Sequence, residues 1–434
     1  MVENLDKKRL FLVGNLSIFM IGLGFAVRAS IASDIQGDIF NELDLARSAG
    51  LVGEVLGATF IGFALTLLFG SALVDKVGMR AMLLFSAVGY IVGSVLVVAA
   101  SFMPVSSLSY WLIFVGFLLT GLGWGAVEAA SNPMITAVYP EEKTHRLNIL
   151  HAWWPAGIVV GGIAGLGFSA LNLPWQTNLL MLIVPGAVLA YLTFSTVFPV
   201  TERVQSGVSY GDMFKELFRA PSYFIWFFAM MITAAAELAP GQWVDLALTH
   251  VVGMQGILVL IYVSMLMFVM RHFAGAIAKR ISSVGLLFVG CIFAATGLYG
   301  LSLSTSPLTA FASATLWGIG VCYFWPTMLS VVSERYPRGG ALFLGLTGFA
   351  GGLSIQFVLP QMGAIFDAAK LEAAGGVERL ATLSGEQMDA VLRYASVESF
   401  QAVALLPLIL LPVFGAIWLR DRSRGVASTA IESQ

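Results

Sequence analysis

Residues 71–80 read SALVDKVGMR, a short charged turn set between two apolar runs near 48–74 and 80–102. A bilayer hydrocarbon core about 30 Å thick is crossed by about 20 apolar residues of helix. The two runs therefore predict a pair of membrane-spanning helices that turn at Asp75, Lys76 and Gly78. The same ruler, moved outward in both directions, finds ten more candidates near 11–31, 109–138, 147–171, 176–199, 222–249, 253–274, 283–304, 307–332, 340–366 and 398–419. Twelve spans fit a composition that is 58% hydrophobic and 11% charged, where a soluble domain carries about 25% charged residues. The first run follows Lys7, Lys8 and Arg9 as a signal peptide would, but it has no small-residue cleavage site and is read as a retained helix.

The charges are informative by position. The formal net charge of −2 leaves no global basic excess for a nucleic-acid partner. Short cytoplasmic loops retain Lys and Arg, and 18 of the 23 fall on one side, from Lys7 to Arg424 and including Lys76, Arg80 and Arg271. Arg47, Lys370, Arg379 and Arg393 fall on the other, and Arg28 lies near the end of the first span. An integral multi-pass protein with both termini cytoplasmic is expected, in the inner membrane if the source is bacterial. Cys291 and Cys322 sit inside apolar runs, so neither a disulfide framework nor a metal site is expected. No GxxxxGK[ST] loop speaks for ATP. The four histidines, His145, His151, His250 and His272, are scattered, so an enzyme and a cofactor are not expected.

Residues 200–221 form the largest polar break on the cytoplasmic side and divide the chain into 1–199 and 222–434, two bundles of six helices. Within the break, Tyr210, Met213, Phe214, Leu217 and Phe218 recur at helical spacing, predicting an amphipathic surface helix with Lys215 and Arg219 toward lipid headgroups. A faint repeat relates the halves. GLGWGAVEAASNP from Gly121 and GIGVCYFWPTM from Gly318 each reach a proline and then Tyr-Pro, and both features are offset by 197 residues. The polar insertion 367–397 reads as a helical extension of the last span rather than a lid, with Ser384 and Gln387 as its capping box.

Ionisable groups at membrane depth are expensive and mark pathways by default. A carboxyl group in a low-dielectric cavity has its charged form disfavoured and can carry a proton. Glu128 and Glu237 are the candidates, whereas Glu54, near a span end, reads as structural. Arg28 either serves the pathway or snorkels to the surface. Pro133, Pro155, Pro240, Pro326 and Pro360 free carbonyls that only protein or a water-filled cavity can satisfy. Around them stand His151, Trp153, Trp154, Gln242, Trp243, Trp317, Tyr323, Trp325 and Gln356, aromatic faces and hydrogen-bonding groups that suit a sugar or similar polyol. Gly157, Gly161 and Gly165 read as a helix contact seam.

The turn at 71–80 resembles the signature loop of the major facilitator superfamily, Gly-x-x-x-Asp-Arg/Lys-x-Gly-Arg/x-Arg, at Asp75, Lys76, Gly78 and Arg80, with Ser71 in place of the first glycine. The resemblance implies an all-α membrane fold of twelve helices in two pseudo-symmetric bundles, with Asp75, Lys76 and Arg80 gating the cytoplasmic side. Between spans eight and nine only Lys279 and Arg280 remain of the counterpart loop. VEAASNP, Val127 to Pro133, is similar to the fourth span of fucose permease-like sugar:proton symporters, which implies Glu128 as the proton site and matches Asn132. Ala236, Glu237, Gly241 and Trp243 match their seventh span, and Trp325, Pro326 and Thr327 loosely match the tenth. The first span departs, with Arg28 and Ile31 where those symporters carry an Asn-rich stretch with an Asp. That arginine is similar instead to the organic anion:cation symporters, whose Asp is here Val27.

The expected protein is a monomeric, proton-coupled symporter of a sugar or sugar-derived molecule in the lipid bilayer. The alternative is a symporter of a small organic anion, a sugar acid or carboxylate. Glu128 and Glu237 are the proton-coupling candidates. Arg28 either tunes Glu128 or binds an anionic group, and Asn132, His151, Trp153, Trp154, Gln242, Trp243, Tyr323, Trp325 and Gln356 complete the substrate site.

Overall fold

A computed structural model describes residues 5–139, 143–200, 209–252, 254–273, 277, 280–336 and 340–423. Among these, every regular element is helical. The spans are α1 Lys7–Ser30, α2 Ser48–Val77, α3 Met79–Ser101, α4 Ser107–Val138, α5 Lys143–Ala170 and α6 Gln176–Phe194 in the first half. The second half has α7 Tyr223–Val252, α8 Ile257–Arg271, α9 Ser283–Ser302, α10 Pro307–Val321 continued by Phe324–Arg335, α11 Gly340–Ala374 and α12 Glu386–Ser423. Eleven are long and apolar enough to cross a membrane, and α8, with 15 residues, is the short twelfth.

Local sequence explains the boundaries. The α2–α3 turn forms at Gly78, whose φ of +88° is costly for a side chain with a Cβ. Asp6 caps α1 by accepting from the Arg9 N–H at 3.0 Å. Ser306 and Thr309 form a reciprocal capping box at the head of α10, with Pro307 where its missing N–H costs nothing. The insertion is helical: α11 runs on to Ala374, α12 begins at Glu386, and Ala374, Leu380 and Val391 close a small core with Leu371 and Met388. A helix spans Tyr210–Arg219, where the amphipathic one was expected, with Lys215, Phe218 and Arg219 exposed. The side chains of Tyr210, Met213 and Phe214 lie outside the described set, as do Lys143, His145, Arg203, His250, Lys279, Arg338 and Arg424.

Within the first half α1 packs on α5, and α4 packs on α2 and α3; within the second, α9 packs on α10 and α12, and α7 on α11 and α12. The halves meet where α2 lies along α11 and α5 along α8. The glycine seam on α5 faces α1: a methyl at Gly157 would strike the Phe19 carbonyl, and one at Gly161 would press on Ala26 and Leu23. At the end remote from the termini, α11 inserts a buried ion pair into the head of α2. Asp367 Oδ2 accepts from the Gly50 N–H at 2.7 Å. Lys370 Nζ donates to Asp367 Oδ1 at 2.7 Å, to the Leu45 carbonyl at 3.3 Å and to Ser48 Oγ at 3.4 Å. Glu54 is tied at the same end to Arg47 at 3.3 Å and to Tyr110 at 2.6 Å, the structural role its position suggests.

Candidate functional site

Prolines determine where the site forms. A proline has no N–H, so the carbonyl four residues earlier loses its helical partner. Pro155 in α5, Pro240 in α7 and Pro326 in α10 thereby free the carbonyls of His151, Ala236 and Cys322. Each is taken by a side chain from another helix. Trp317 Nε1 donates to the Ala236 carbonyl at 3.1 Å. Arg271 donates from Nε to the Cys322 carbonyl at 3.1 Å and from Nη1 to the His151 carbonyl at 3.4 Å.

The same guanidinium pairs with Glu237. Arg271 Nη2 lies 3.2 Å from Glu237 Oε1, with the two side chains 9% and 2% exposed. Glu237 Oε2 accepts from the Trp325 N–H at 3.1 Å. That amide is in the first turn of Phe324–Arg335, where N–H groups lack helical partners and the helix end favours negative charge. Arg271 was counted above with the cytoplasmic loop charges, and its burial among α5, α7 and α10 corrects that reading. Hydropathy places it at the end of a span, while its partners lie on other helices.

Glu128 stands opposite. Its Oε2 accepts from Asn132 Nδ2 at 2.8 Å, one turn along α4. Asn132 Oδ1 lies 3.2 Å from His151 Nε2. With its N–H on Glu128, the Asn132 amide turns its oxygen toward His151, an acceptor for Nε2 in the tautomer that carries the proton there. Between Glu128 and Glu237 lies a cavity of about 60 Å³ lined by Ile21, Phe25, Phe60, Phe63, Trp124, Glu128, His151, Trp154, Glu237, Leu238, Arg271 and Trp325. Half of its lining residues are Phe or Trp, with Phe25 and Trp154 edge to face at 5.4 Å and Phe63 and Trp325 tilted at 6.1 Å.

Of the expected residues, Glu128, Glu237, His151, Trp154 and Trp325 meet on this cavity, and Asn132 stands behind Glu128. The others lie elsewhere. Trp153 is 42% exposed on the outer face of α5, edge on to Phe19, because its neighbour Trp154 takes the inward position. Gln242 is buried and donates to the Phe25 carbonyl at 2.9 Å, joining α7 to α1. Trp243 is buried against Phe366, and Tyr323 donates to the Met270 carbonyl at 2.9 Å. Gln356 lies in the α2–α11 contact beside Gly57.

Arg28 is buried but does not line the cavity. Its Nε donates to the Gly24 carbonyl at 3.3 Å and its guanidinium lies 4.2 Å over the Trp124 ring. Among the described residues its Nη1 and Nη2 have no hydrogen-bond partner, and it makes no ion pair with Glu128. Of the expected gate, Arg80 donates to the Thr196 carbonyl at 2.6 Å within its own half, and Lys76 is exposed. The Asp75 side chain and Lys279 fall outside the described residues. Trp124, Phe25, Phe60 and Phe63 were not singled out from the sequence. Trp124 stands in the same GWGAVE stretch as Glu128, one helical turn before it, and that spacing could have found it.

Comparison with known proteins bears on the whole chain. The family model described as Major Facilitator Superfamily matches residues 10–358. The L-fucose-proton symporter of Escherichia coli (strain K12) is 27% identical over 128 residues, 29% of this chain and 28% of that protein, so the match spans under a third of that relative. The class D tetracycline resistance protein of Salmonella ordonez is 26% identical over 375 residues, 78% of this chain and 86% of that one. Among solved structures, the crystal structure of a D-xylose-proton symporter superposes with a TM-score of 0.72 at 16% identity, covering 92% of this chain and 96% of that one, which establishes the shared fold.

Proposed function

The chain belongs to the Major Facilitator Superfamily, and from that premise we infer that it is a secondary transporter that moves a sugar or sugar-derived small molecule together with a proton. The observation that carries this reading is the cavity between the halves, which combines aromatic walls with two carboxyl groups in different settings. Glu237 has a cation beside it, whereas Glu128 is held by a neutral amide. Among the described residues Glu128 makes no ion pair, so proton exchange there leaves no buried cation behind, whereas at Glu237 it would strand Arg271. Glu128 is therefore the proton site of this reading, and the aromatic faces pack the apolar faces of a sugar ring.

A neutral substrate is favoured over an organic anion by where the arginines stand and what Arg271 already holds. Arg271, the arginine on the cavity wall, is committed to Glu237 and to two carbonyls. Arg28 stacks on Trp124 and is not among the lining residues. The sugar class is also supported by the partial likeness to the fucose-proton symporter. Both termini face the cytoplasm in this reading, as the loop charges direct, and the two six-helix halves rock about the cavity. The test is uptake of a panel of labelled neutral monosaccharides and sugar acids into vesicles carrying the purified protein and an imposed pH gradient. Gradient-driven accumulation of a neutral sugar with inward positive current supports the reading. Electroneutral uptake of a carboxylate, or no uptake of either class, overturns it.

A further inference from the structure

Among the described residues Glu128 accepts one hydrogen bond, from Asn132 Nδ2 at 2.8 Å. A carboxamide has an N–H end and a carbonyl end of nearly the same size, so shape alone does not decide which end faces Glu128. The far end of this amide meets α5, where His151 Nε2 lies 3.2 Å from Asn132 Oδ1. Glu128 and His151 both line the cavity, whereas Asn132 does not. The amide is thus placed to join these two side chains and not to touch a substrate. His151 is itself fixed in position: it stands four residues before Pro155, and its freed carbonyl accepts from Arg271 at 3.4 Å. Its ring is left to serve α4.

Resting on the proton step assigned to Glu128 above, we propose that His151 is a positioning residue: its Nε2–H holds the Asn132 carbonyl, keeps the amide N–H on Glu128, and so sets the pH at which Glu128 takes up its proton. With the N–H toward it, the ionised carboxylate has a charge-assisted bond. A protonated Glu128 gains less from that N–H, and finds an acceptor in the amide only if the amide turns over. Turning would set Asn132 Nδ2 against the Nε2–H of His151, donor against donor. The histidine therefore favours the ionised carboxylate. A side chain at 151 with no donor frees the amide to turn, and protonation then comes at higher pH. The other charged and titratable groups about Glu128 are Tyr90 of α3, with Arg28 of α1 beside it, and Glu237 of α7 and Arg271 of α8 on the cavity wall. Glu54 of α2 is tied to Arg47 and Tyr110 at the outer end.

The test needs no sugar. Infrared spectra of the purified protein in lipid bilayers are recorded across a pH series, and the carboxylic-acid C=O band that is missing from Glu128→Gln reports protonation of Glu128. His151→Met removes the donor, and the midpoint of this band should rise by about one pH unit, a tenfold change in proton affinity and the scale of one hydrogen bond to a charged group. His151→Gln keeps an N–H near the place of Nε2 and should return the midpoint to that of the parent. Asn132→Leu removes the same bond from the α4 side, so the relay stays testable should one variant fail to fold. It should shift the midpoint at least as far, and adding His151→Met to it should shift it no further. An unmoved midpoint in His151→Met overturns the relay. So does a His151→Gln midpoint displaced as far as that of His151→Met, since the histidine would then act by its charge and not by its donor. Sugar uptake is read separately in vesicles. Uptake by the parent with an unmoved midpoint in His151→Met refutes the relay alone, and a displaced midpoint with no uptake of any sugar by the parent refutes the substrate reading alone.

Discussion

Replacing Glu237 by glutamine keeps the size of the side chain and removes its charge, leaving Arg271 buried without a carboxylate. At 3.2 Å, and with the effective dielectric of about 20 that describes protein sites, the attraction lost is about 5 kcal/mol. Measured losses on breaking one partner out of a buried pair are about 3–5 kcal/mol. The guanidinium keeps two carbonyls and the Trp154 face, the latter worth about 1 kcal/mol. A destabilisation of about 3 kcal/mol is therefore expected for Glu237→Gln, and a similar one for Arg271→Gln, which leaves Glu237 with the Trp325 amide. The double variant should cost little more than either single one, because the second change removes a charge that the first left unpaired. The assay is equilibrium unfolding in mixed micelles for the parent, both single variants and the double variant. A coupling energy of about 2–3 kcal/mol is expected, against about 0.5 kcal/mol for sites that do not interact. Simple additivity of the two single variants would refute the ion pair as a stabilising element of the site.

Glu128→Gln should abolish accumulation driven by a pH gradient and leave substrate exchange across the vesicle membrane intact, whereas uphill accumulation at the parent level would remove Glu128 from the proton step. Lys370→Met leaves Asp367 buried with the Gly50 amide alone. It should cost about 3 kcal/mol in the same unfolding assay, with most of that recovered in Lys370→Met/Asp367→Asn; no recovery would show that the pair is not what secures α11 to α2. Arg28→Lys gives up the stacked planar cation on Trp124 and should lose about 1 kcal/mol of stability while keeping substrate affinity. A tenfold weaker substrate affinity at unchanged stability would instead make Arg28 a substrate anchor. Cysteines introduced at Ser384 and Ser423, both exposed and at opposite ends of α12, should label from opposite faces of the membrane, Ser423 from the cytoplasm; labelling of Ser423 from outside would reverse the orientation.

Span number was legible in the sequence because the hydrocarbon interior offers no water to a backbone amide, but span length was not: α8 has 15 residues where 253–274 was expected, and α12 runs Glu386–Ser423 where 398–419 was expected. Every crossing segment must close its own hydrogen bonds as a helix, and a run of about 20 apolar residues suffices to show it. The prolines were legible too: the loss of an N–H at Pro155, Pro240 and Pro326 is a covalent fact that frees the carbonyls of His151, Ala236 and Cys322 wherever the helices lie. Which donors fill those carbonyls was not. Arg271 reads as a loop charge because a hydropathy window weighs only its sequence neighbours, and its burial depends on Glu237, His151 and Cys322 meeting from three other helices. Trp153 and Trp154 are adjacent in the chain and chemically identical, so composition cannot choose between them. A helix that is apolar all round carries no stripe to say which face turns inward. Only the packing of α5 against α1 and α8 turned Trp154 to the cavity and Trp153 to the outer surface.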